Sequence, residues 1–412
     1  MNPVCITLPA VAIAIALWLA WLTSKPVNRP LLDRKTEQAL TAMLPPHSEQ
    51  GNTTATYTGF APMLDDLLSD IAAAQHHIHV QFFKFEADCI AQRIGDALAH
   101  KAAQGVEVRL LYDDIVNKNH KWYYRTLSNQ GIQVQGFAPV YTPFLRKKDN
   151  YRNHRKVVVV DGRTGYLGGM NIAERYLYGL DWGSWRDTQM RIKGPAVAQL
   201  QQSFLSDWCY ATGQLLNRPA YFPEPIAAGD SHIQILTSGP IGNGPTIMHR
   251  IVQMFDQSNE YIYLESPYFI PTPEVMQALC QTAQRGVDVR LLLPARSDRG
   301  VIILPASMSY VEQALASGAR IGLYRNGFLH AKTIVADDLI ATVGSTNIDP
   351  RSFLLDHEIG AFVTDRNFAL EIKRQFLADE AQSEYIDKTT WTHRPFHRKA
   401  MERFARLFSP QL

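Results

Sequence analysis

Residues 154–171 have the sequence HRKVVVVDGRTGYLGGMN, which predicts two adjacent strands and the turn between them. The four valines Val157–Val160 form an apolar run with the length and composition of a buried strand. Asp161 and Gly162 follow as turn residues, and residues 164–167 return as a second strand. The pattern therefore predicts an antiparallel pair inside a larger sheet.

Residues 330–347, HAKTIVADDLIATVGSTN, repeat this pattern in the second half of the chain. Both copies hold a histidine, a lysine, an aspartate, a glycine and an asparagine in one register, 176 positions apart (330 − 154). The matched residues are His154, Lys156, Asp161, Gly168 and Asn171, then His330, Lys332, Asp337, Gly344 and Asn347. A short pattern can arise by chance, but two full copies are not expected to. One local scaffold is built twice, and this can bring two histidines to one site.

The spacing of each copy predicts a phosphate-binding pair. Residues i and i+2 of a strand project to the same face, so His154 is expected beside Lys156 and His330 beside Lys332. Phosphodiester exchange requires a nucleophile, an acid for the leaving oxygen and positive charge around the phosphoryl oxygens. Two histidines and two lysines supply all three, so we expect no metal and no other cofactor.

The chain resembles the phospholipase D superfamily, and within it the bacterial cardiolipin synthases. The superfamily pattern is the pair of H-x-K-x4-D motifs, and the closer likeness lies in NHRKVVVVDG, GGMNIAERY, WRDTQMRIKGPAV, ESPYFIP, NGFLHAK and VGSTNIDPRS. The likeness extends from about Gly59 to the C-terminus. It implies a phosphatidyltransferase that moves a phosphatidyl group from one phosphatidylglycerol to another, releases glycerol and passes through a phosphohistidine.

The resemblance also implies roles for the residues of the two motifs. His154 is expected to be the nucleophile and His330 the general acid and base. The phosphoryl oxygens are expected to contact four side chains: Lys156, Asn171, Lys332 and Asn347.

Four carboxylates complete the predicted site. Asp161 and Asp337 belong to the catalytic pattern, although their place after a strand also fits a structural role in the turn. Asp187 and Glu358 resemble the family's histidine-orienting acids. They follow the histidines of their own halves by 33 (187 − 154) and 28 (358 − 330) positions.

Three other functions remain open from the residues. Water could resolve the same covalent intermediate, which would make the chain a phospholipase D that hydrolyses phospholipids. A nuclease of the superfamily is disfavoured, because a net charge of +2 is too small to indicate nucleic-acid binding. A non-catalytic lipid-binding protein is disfavoured by the completeness of both motifs. We therefore expect phospholipid and membrane partners and no nucleic acid, while nothing in the sequence indicates an oligomeric state.

Composition predicts a folded chain with two domain cores, since 46% of its 412 residues are apolar. The four cysteines have no paired spacing, so neither a disulfide framework nor a zinc site is predicted. Strands alternate with helices in each half, and QGVEVRLL in the first half returns as RGVDVRLL in the second. We predict an α/β fold of two duplicated phospholipase D-like domains, residues 58–216 and 230–387, with mixed sheets related by pseudo-two-fold symmetry.

The N-terminus predicts a membrane anchor. Residues 4–22 are almost wholly apolar and would form a helix roughly 28 Å long, close to the hydrocarbon thickness of a bilayer. Lys25, Arg29, Arg34 and Lys35 follow this run, which by the positive-inside rule places its C-terminal side in the cytoplasm. We expect one transmembrane helix within residues 1–24, a linker over 25–57 and a catalytic body on the cytoplasmic side of a bacterial inner membrane.

The last segment, residues 388–412, predicts a basic amphipathic helix. Its apolar residues at helical spacing are Met401, Phe404, Leu407 and Phe408, and its basic residues are Arg398, Lys399, Arg403 and Arg406. This pattern is typical of a helix at a membrane interface. It also fits a helix that docks on the protein core.

Overall fold

The computed structural model describes residues 32–42, 49–139, 150–242, 244–298 and 301–412. Its first half contains helices α1 (Arg34–Thr41), α2 (Phe60–Ala73), α3 (Cys89–Ala103), α4 (Lys121–Asn129), α5 (Glu174–Tyr178) and α6 (Val197–Thr212). The strands of that half are β1 (Thr53–Tyr57), β2 (His77–Phe82), β3 (Glu107–Asp113), β4 (Gln133–Phe137), β5 (Arg152–Asn153), β6 (Val157–Val160), β7 (Thr164–Gly168), β8 (Ser184–Arg186) and β9 (Gln189–Lys193).

The second half repeats this alternation of strands and helices. Its strands are β10 (His232–Ser238), β11 (Tyr261–Glu265), β12 (Asp288–Pro294), β13 (Arg320–Tyr324), β14 (Gly327–Leu329), β15 (Thr333–Ala336), β16 (Ile340–Gly344), β17 (Asp356–Thr364) and β18 (Ser383–Tyr385). Its helices are α7 (Thr246–Gln257), α8 (Pro273–Gln284), α9 (Ile303–Ser317), α10 (Pro350–Leu354), α11 (Arg366–Glu380), α12 (Lys388–Thr392) and α13 (Phe396–Arg406).

Each half is built on one mixed sheet, and the two sheets share a strand order. The first runs β1-β9-β7-β6-β2-β3-β4, and the main path of the second runs β10-β17-β16-β15-β11-β12-β13-β18. Strands β2, β3 and β4 are parallel, as are β11, β12 and β13. The motif strands β6 and β15 pair antiparallel with both of their neighbours. The predicted duplicated α/β fold with mixed sheets is confirmed.

The four valines of β6 are all buried, because β6 lies between β2 and β7 in the middle of its sheet. Val158 and Val160 pack in the core of the first half, whereas Val157 and Val159 pack in a cluster shared with the second half. A strand that is covered on both faces is apolar throughout instead of alternating. This explains the run of four valines.

A shared apolar cluster joins the two halves. From the first half it includes Leu167 and Met190, and from the second half it includes Val343 and Ile359, all fully buried. Helices α6 and α11 contribute to the same cluster through Leu200 and Phe376. The halves therefore pack sheet against sheet over an apolar surface, and this fixes the position of one motif relative to the other.

Two short parallel strand pairs also cross between the halves. Strand β5 pairs with the start of β17, with Arg152 opposite Asp356 and Asn153 opposite His357. Strand β14 pairs with β8 over three residues. The two backbones are so close that a Cβ on Gly327 would lie 2.1 Å from the carbonyl oxygen of Ser184. Gly327 also has φ +112°, so only glycine fits at this position.

Three features differ from the sequence-based expectations or lie beyond them. Strand β1 falls inside the predicted linker of residues 25–57, yet it pairs with β9 over five residues and belongs to the first sheet. That boundary is corrected, because β1 supplies the sheet's edge strand. The predicted anchor, residues 1–24, lies outside the described residues. Among the residues that are described, no helix has the length and apolar character needed to span a bilayer.

Candidate active site

The histidine and lysine of each motif lie in the short connection between a cross-half strand and a sheet strand. His154 and Lys156 stand between β5 and β6, and His330 and Lys332 stand between β14 and β15. All four side chains are buried. Backbone hydrogen bonds continue the cross-half pairing, from His154 N to the carbonyl of His357 at 2.9 Å and from His330 N to that of Arg186 at 2.6 Å.

Each histidine is oriented by a carboxylate from the other half. His154 Nδ1 lies 2.9 Å from Glu358 Oε1, and His330 Nδ1 lies 2.6 Å from Asp187 Oδ2. Both predicted orienting acids therefore contact a motif histidine, but each contacts the histidine of the other half and not the one that precedes it by 33 or 28 positions. Each Nδ1 is thus the anchored side of its ring, and at His330 the Lys332 ammonium also lies 3.0 Å from Nδ1. Nε2 is the atom that we assign to the chemistry.

The crossed pairing follows from the register of the two parallel strand pairs. Asn153 is opposite His357, so the next residues along, His154 and Glu358, are neighbours. In the same way Leu329 is opposite Arg186, so His330 and Asp187 follow side by side. The carboxylate reaches its histidine because each pair runs parallel with no stagger.

The lysines show that both motifs share one electrostatic environment. Burial lowers the pKa of Lys156 to about 7, with Glu358 opposing the shift and Lys332 adding to it. Burial also lowers the pKa of Lys332 to about 8, against the attraction of Asp187 and Glu358. Each ammonium group donates to the carbonyl of its own motif histidine. The charged groups of the two motifs therefore interact with one another, and both lysines are buried.

The two histidine–acid pairs differ in electrostatics. Burial lowers the pKa of His154 to about 4, more than Glu358 raises it, so this ring is neutral near pH 7. Burial would raise the pKa of Glu358, but His154, Lys156 and the Ser345 hydroxyl, which donates to Glu358 Oε2, hold it below its usual value. Burial raises the pKa of Asp187 to about 6, against the pull of Lys332. Asp187 accepts from Thr188 N at 2.8 Å, but among the described residues no hydroxyl donates to it as Ser345 does to Glu358.

The two motif asparagines differ in their availability for a ligand. Asn171 Oδ1 accepts from Lys84 N at 3.0 Å, and Asn171 Nδ2 donates to the Tyr176 hydroxyl at 2.8 Å. Its amide oxygen and one of its two amide N–H groups are therefore engaged in holding two segments together, and its role in phosphate binding stays a prediction. Asn347 is buried with Oδ1 unpartnered among the described residues. An amide can turn either its oxygen or its nitrogen toward a ligand, so Asn347 keeps the predicted role.

Asp161 and Asp337 lie at the far end of the motif strands from the histidines. Asp161 accepts hydrogen bonds from the backbone N–H groups of Gln75, His76 and His77. Asp337 does the same for residues 259–261. The four residues of β6 lie between Lys156 and Asp161, which places the two residues roughly 16 Å apart along the strand. Their place among the catalytic residues is corrected: each carboxylate fixes the start of β2 or β11.

Aromatic side chains surround the imidazoles. The ring of Phe83 is 4.6 Å from that of His154, and the ring of Trp185 is 5.3 Å from that of His330. Tyr176 and Phe328 lie farther out around His330, at 6.2 and 5.8 Å. These groups lower the local dielectric constant, which strengthens the interaction of a bound phosphate with the lysines.

Two buried arginines, which the sequence analysis did not single out, hold the backbone of the orienting acids. Arg155 Nε donates to the Glu358 carbonyl at 3.0 Å, and its guanidinium pairs with Asp207 at 2.7 Å. Arg186 donates to the Asp187 carbonyl at 2.7 Å and pairs with Asp379 at 2.7 Å. The two aspartates that pair with these arginines, Asp207 and Asp379, lie on equivalent helices, α6 and α11. The residue equivalent to Arg155 in the second motif is Ala331, so Arg186 does the same work from a different position in the sequence. The repeat therefore does not point to Arg186.

Within the part of the chain that the structure describes, no group of three histidine, cysteine or acidic side chains is arranged to hold a metal ion. The expectation of no metal cofactor remains a prediction. The site contains a neutral imidazole, a second imidazole paired with an acid, and two buried lysines.

Comparison with known proteins indicates the family to which this chain belongs. The family described as cardiolipin synthase, PLD-like domain, matches residues 67–208 and 251–380. A cardiolipin synthase of Geobacillus thermodenitrificans is 38% identical over 364 residues, which cover 87% of this chain and 72% of the relative. The major cardiolipin synthase of Bacillus subtilis is 38% identical over 351 residues, covering 84% and 72%. The crystal structure of phosphatidylserine synthase from Haemophilus influenzae has a TM-score of 0.68 over 92% of this chain and 99% of that chain. Its 16% identity supports a shared fold only.

Proposed function

The chain belongs to the cardiolipin synthase family of phospholipase D-like proteins, and from that membership we propose that it transfers a phosphatidyl group from one phosphatidylglycerol to another, with release of glycerol. One observation carries the proposal: the crossed pairs His154–Glu358 and His330–Asp187 assemble two imidazoles and two ammonium groups in a single buried site. This set meets the requirements for exchanging alcohols on phosphorus.

His154 is the nucleophile in the proposed reaction. Its Nδ1–H is donated to Glu358, which leaves the Nε2 lone pair free, and its pKa of about 4 keeps the ring neutral near pH 7. Nε2 attacks the phosphorus of the first phosphatidylglycerol. A P–N bond forms, and the bond from phosphorus to the head-group glycerol oxygen breaks.

His330 is the acid and then the base. As an imidazolium held by Asp187, it gives a proton to the departing glycerol oxygen, and glycerol leaves. The head-group hydroxyl of the second phosphatidylglycerol then attacks phosphorus, and His330 takes up its proton. The P–N bond breaks, which restores neutral His154 and releases cardiolipin.

Lys156 and Lys332 stabilise the phosphoryl oxygens as charge develops on them. Burial lowers both lysine pKa values, to about 7 and about 8. A bound phosphodiester anion favours the charged form of each amine, so the substrate helps to keep both lysines protonated. Asn347 adds an uncharged contact, and no metal or other cofactor takes part in any step.

We also propose the arrangement around this catalytic body. Residues 58–216 and 230–387 form two domains related by pseudo-two-fold symmetry, supported by their common strand order. Residues 1–24 anchor the chain in a bacterial inner membrane as a single-pass helix, with the catalytic body on the cytoplasmic side. The charge distribution after residue 24 supports that topology.

Product analysis tests the proposed reaction. Purified full-length protein is incubated with vesicles of phosphatidylglycerol, and lipids and free glycerol are quantified by mass spectrometry. Cardiolipin and glycerol are expected in equal amounts, also in the presence of a chelator. Phosphatidic acid in place of cardiolipin would identify a hydrolase, and loss of turnover in chelator would contradict the metal-free scheme. His154→Ala and His330→Ala are expected to abolish the product without unfolding the chain.

A further inference from the structure

The C-terminal helix α13 has its apolar face turned away from the protein. Ala405 and Glu402 are its buried residues, and they face the body of the second half. The exposed fractions of its large apolar residues are 81% for Phe396, 51% for Met401, 56% for Phe404 and 75% for Leu407. At 100° per residue Phe396, Phe404 and Leu407 lie 100° or more from both buried residues, and Met401 lies at the edge of this face, 40° from Ala405. The usual orientation of an amphipathic helix on a soluble domain is thus reversed.

Polar contacts hold the helix in this orientation. Glu402 accepts from Arg394 at 2.7 Å and pairs with Arg398 at 3.3 Å. The guanidinium of Arg406 stacks over the ring of Tyr310 in α9 at 4.1 Å. Because the helix is bound through its polar side, the apolar side is left for another surface.

The charges beside the apolar face identify the kind of surface that fits. Residues 388–412 hold six lysine and arginine side chains against one acid, Glu402, whereas the whole chain has a net charge of only +2. A groove of about 350 Å³ between α9 and α13 is lined by four basic residues: Arg394, Lys399, Arg403 and Arg406. The two acids of this groove, Glu312 and Glu402, are both paired with Arg394. Large apolar side chains next to clustered cations match a bilayer with anionic head groups.

The end of this segment also contacts both motif regions. Gln411 accepts from Asn150 Nδ2 at 3.4 Å, and Asn150 is four residues before His154. The Leu412 carbonyl accepts from Arg351 N at 3.2 Å, and Arg351 follows Asn347 by four residues. Arg351 in turn donates to Asn150 at 3.1 Å. A surface bound to α13 is therefore connected to the segments on either side of the active site.

We propose that the exposed face of α13, formed by Phe396, Met401, Phe404 and Leu407, is a docking surface for an anionic lipid bilayer. The apolar side chains enter the head-group boundary while Lys399 and Arg403, which lie beside that face, contact lipid phosphates. Docking places the catalytic body flat against the leaflet that holds its substrate. This contact is additional to any N-terminal anchor and does not depend on the reaction that the site catalyses.

Oxidation of Met401 by hydroxyl radicals reports on this face in the full-length protein, whatever else holds the chain to the membrane. The protein is compared in detergent, on phosphatidylcholine vesicles and on phosphatidylglycerol vesicles, with modification read by mass spectrometry. Oxidation of Met401 is expected to fall by about fivefold on phosphatidylglycerol alone, and the protection to weaken in about 1 M salt. Leu339, which is 59% exposed in the turn between β15 and β16, should react equally in all three.

A matched pair of variants completes the test. Phe396→Ser/Phe404→Ser/Leu407→Ser keeps Met401 as the reporter and should lose its protection. Ile226→Ser/Leu339→Ser/Leu377→Ser removes three exposed apolar residues elsewhere and should keep it. Equal oxidation of Met401 with phosphatidylglycerol vesicles and in detergent would overturn the proposal. Protection in detergent that grows with protein concentration would also overturn it, because it would indicate that a second copy of the chain covers this face. Since the footprint needs no turnover, protection without cardiolipin formation would reject the proposed function and leave the docking intact.

Discussion

Glu358 hydrogen-bonds His154 across 204 residues of sequence, with Oε1 and Nδ1 2.9 Å apart. Asp187 and His330 are related in the same way across 143 residues. Neither half of the chain therefore contains a histidine together with the acid that orients it. The active site is a property of the interface between the halves, and the apolar cluster joining the two sheets is what maintains its geometry.

Removing the charge of either orienting acid should reduce turnover without unfolding the protein. Glu358→Gln and Asp187→Asn keep the size of the side chain and an acceptor oxygen for Nδ1–H, but they remove the negative charge that stabilises an imidazolium. We expect kcat to fall by about 10² to 10⁴-fold in each, the range for a disabled acid–base catalyst. Cardiolipin formation and thermal unfolding are measured together. Near-normal kcat in either variant would contradict the crossed pairing as a catalytic device.

The lysines should set the alkaline limit of activity. The charged amine is the acid form, so a lysine whose pKa is lowered loses its charge as pH rises through that value. Lys156 and Lys332 have pKa values of about 7 and 8, because burial outweighs nearby Glu358 and Asp187. We expect kcat/KM to fall as pH rises above this window, and also to fall toward pH 4, where His154 takes up a proton.

A series of rate measurements across pH tests this assignment. Lys156→Arg retains its charge well above pH 7 because a guanidinium keeps its proton to about pH 12. Lys332, whose pKa of about 8 is the higher of the two, then becomes the lysine that limits activity. Whatever activity that variant keeps should therefore extend to higher pH than in the parent chain. A parent profile that stays flat up to about pH 9 would rule out the lysines as the titrating groups.

The sequence could predict the duplicated fold because its strongest signals are local. The run Val157–Val160 and the turn after it are determined by neighbours in the chain, and so is the pairing of each histidine with a lysine two residues on. The partner of each orienting acid is not local. It depends on the register of β5 with β17 and of β8 with β14. Strands β5, β8 and β14 are only two or three residues long, and β17 takes part through its first two residues alone. For the same reason, the engagement of Asn171 by Lys84 and Tyr176 could not be read from its motif position.

Asp161 and Asp337 should affect stability and not catalysis. Each carboxylate accepts three backbone N–H groups, and each residue has φ +53°. Asparagine tolerates that backbone conformation but offers only one acceptor oxygen, so Asp161→Asn and Asp337→Asn test the hydrogen bonds alone. We expect the free energy of unfolding to fall by about 1 to 3 kcal/mol, with kcat of the folded protein close to normal. A large loss of kcat in a variant that remains folded would return these residues to the catalytic set.

Arg155 and Arg186 should act as positioning residues through the acids that they hold. Each donates to the backbone carbonyl of an orienting acid and is fixed by a carboxylate of α6 or α11. A lysine keeps the charge but cannot make both contacts in the geometry of a guanidinium. In Arg155→Lys and Arg186→Lys we expect kcat to fall by about 10 to 100-fold with KM nearly unchanged, because the substrate contacts remain while the histidines lose alignment. Arg290→Lys, which alters an ion pair between β12 and Glu380 at the end of α11, is the matched control and should keep its kcat. If all three variants lose kcat in proportion to their loss of stability, the arginines have a general structural role; a selective loss in the first two supports positioning.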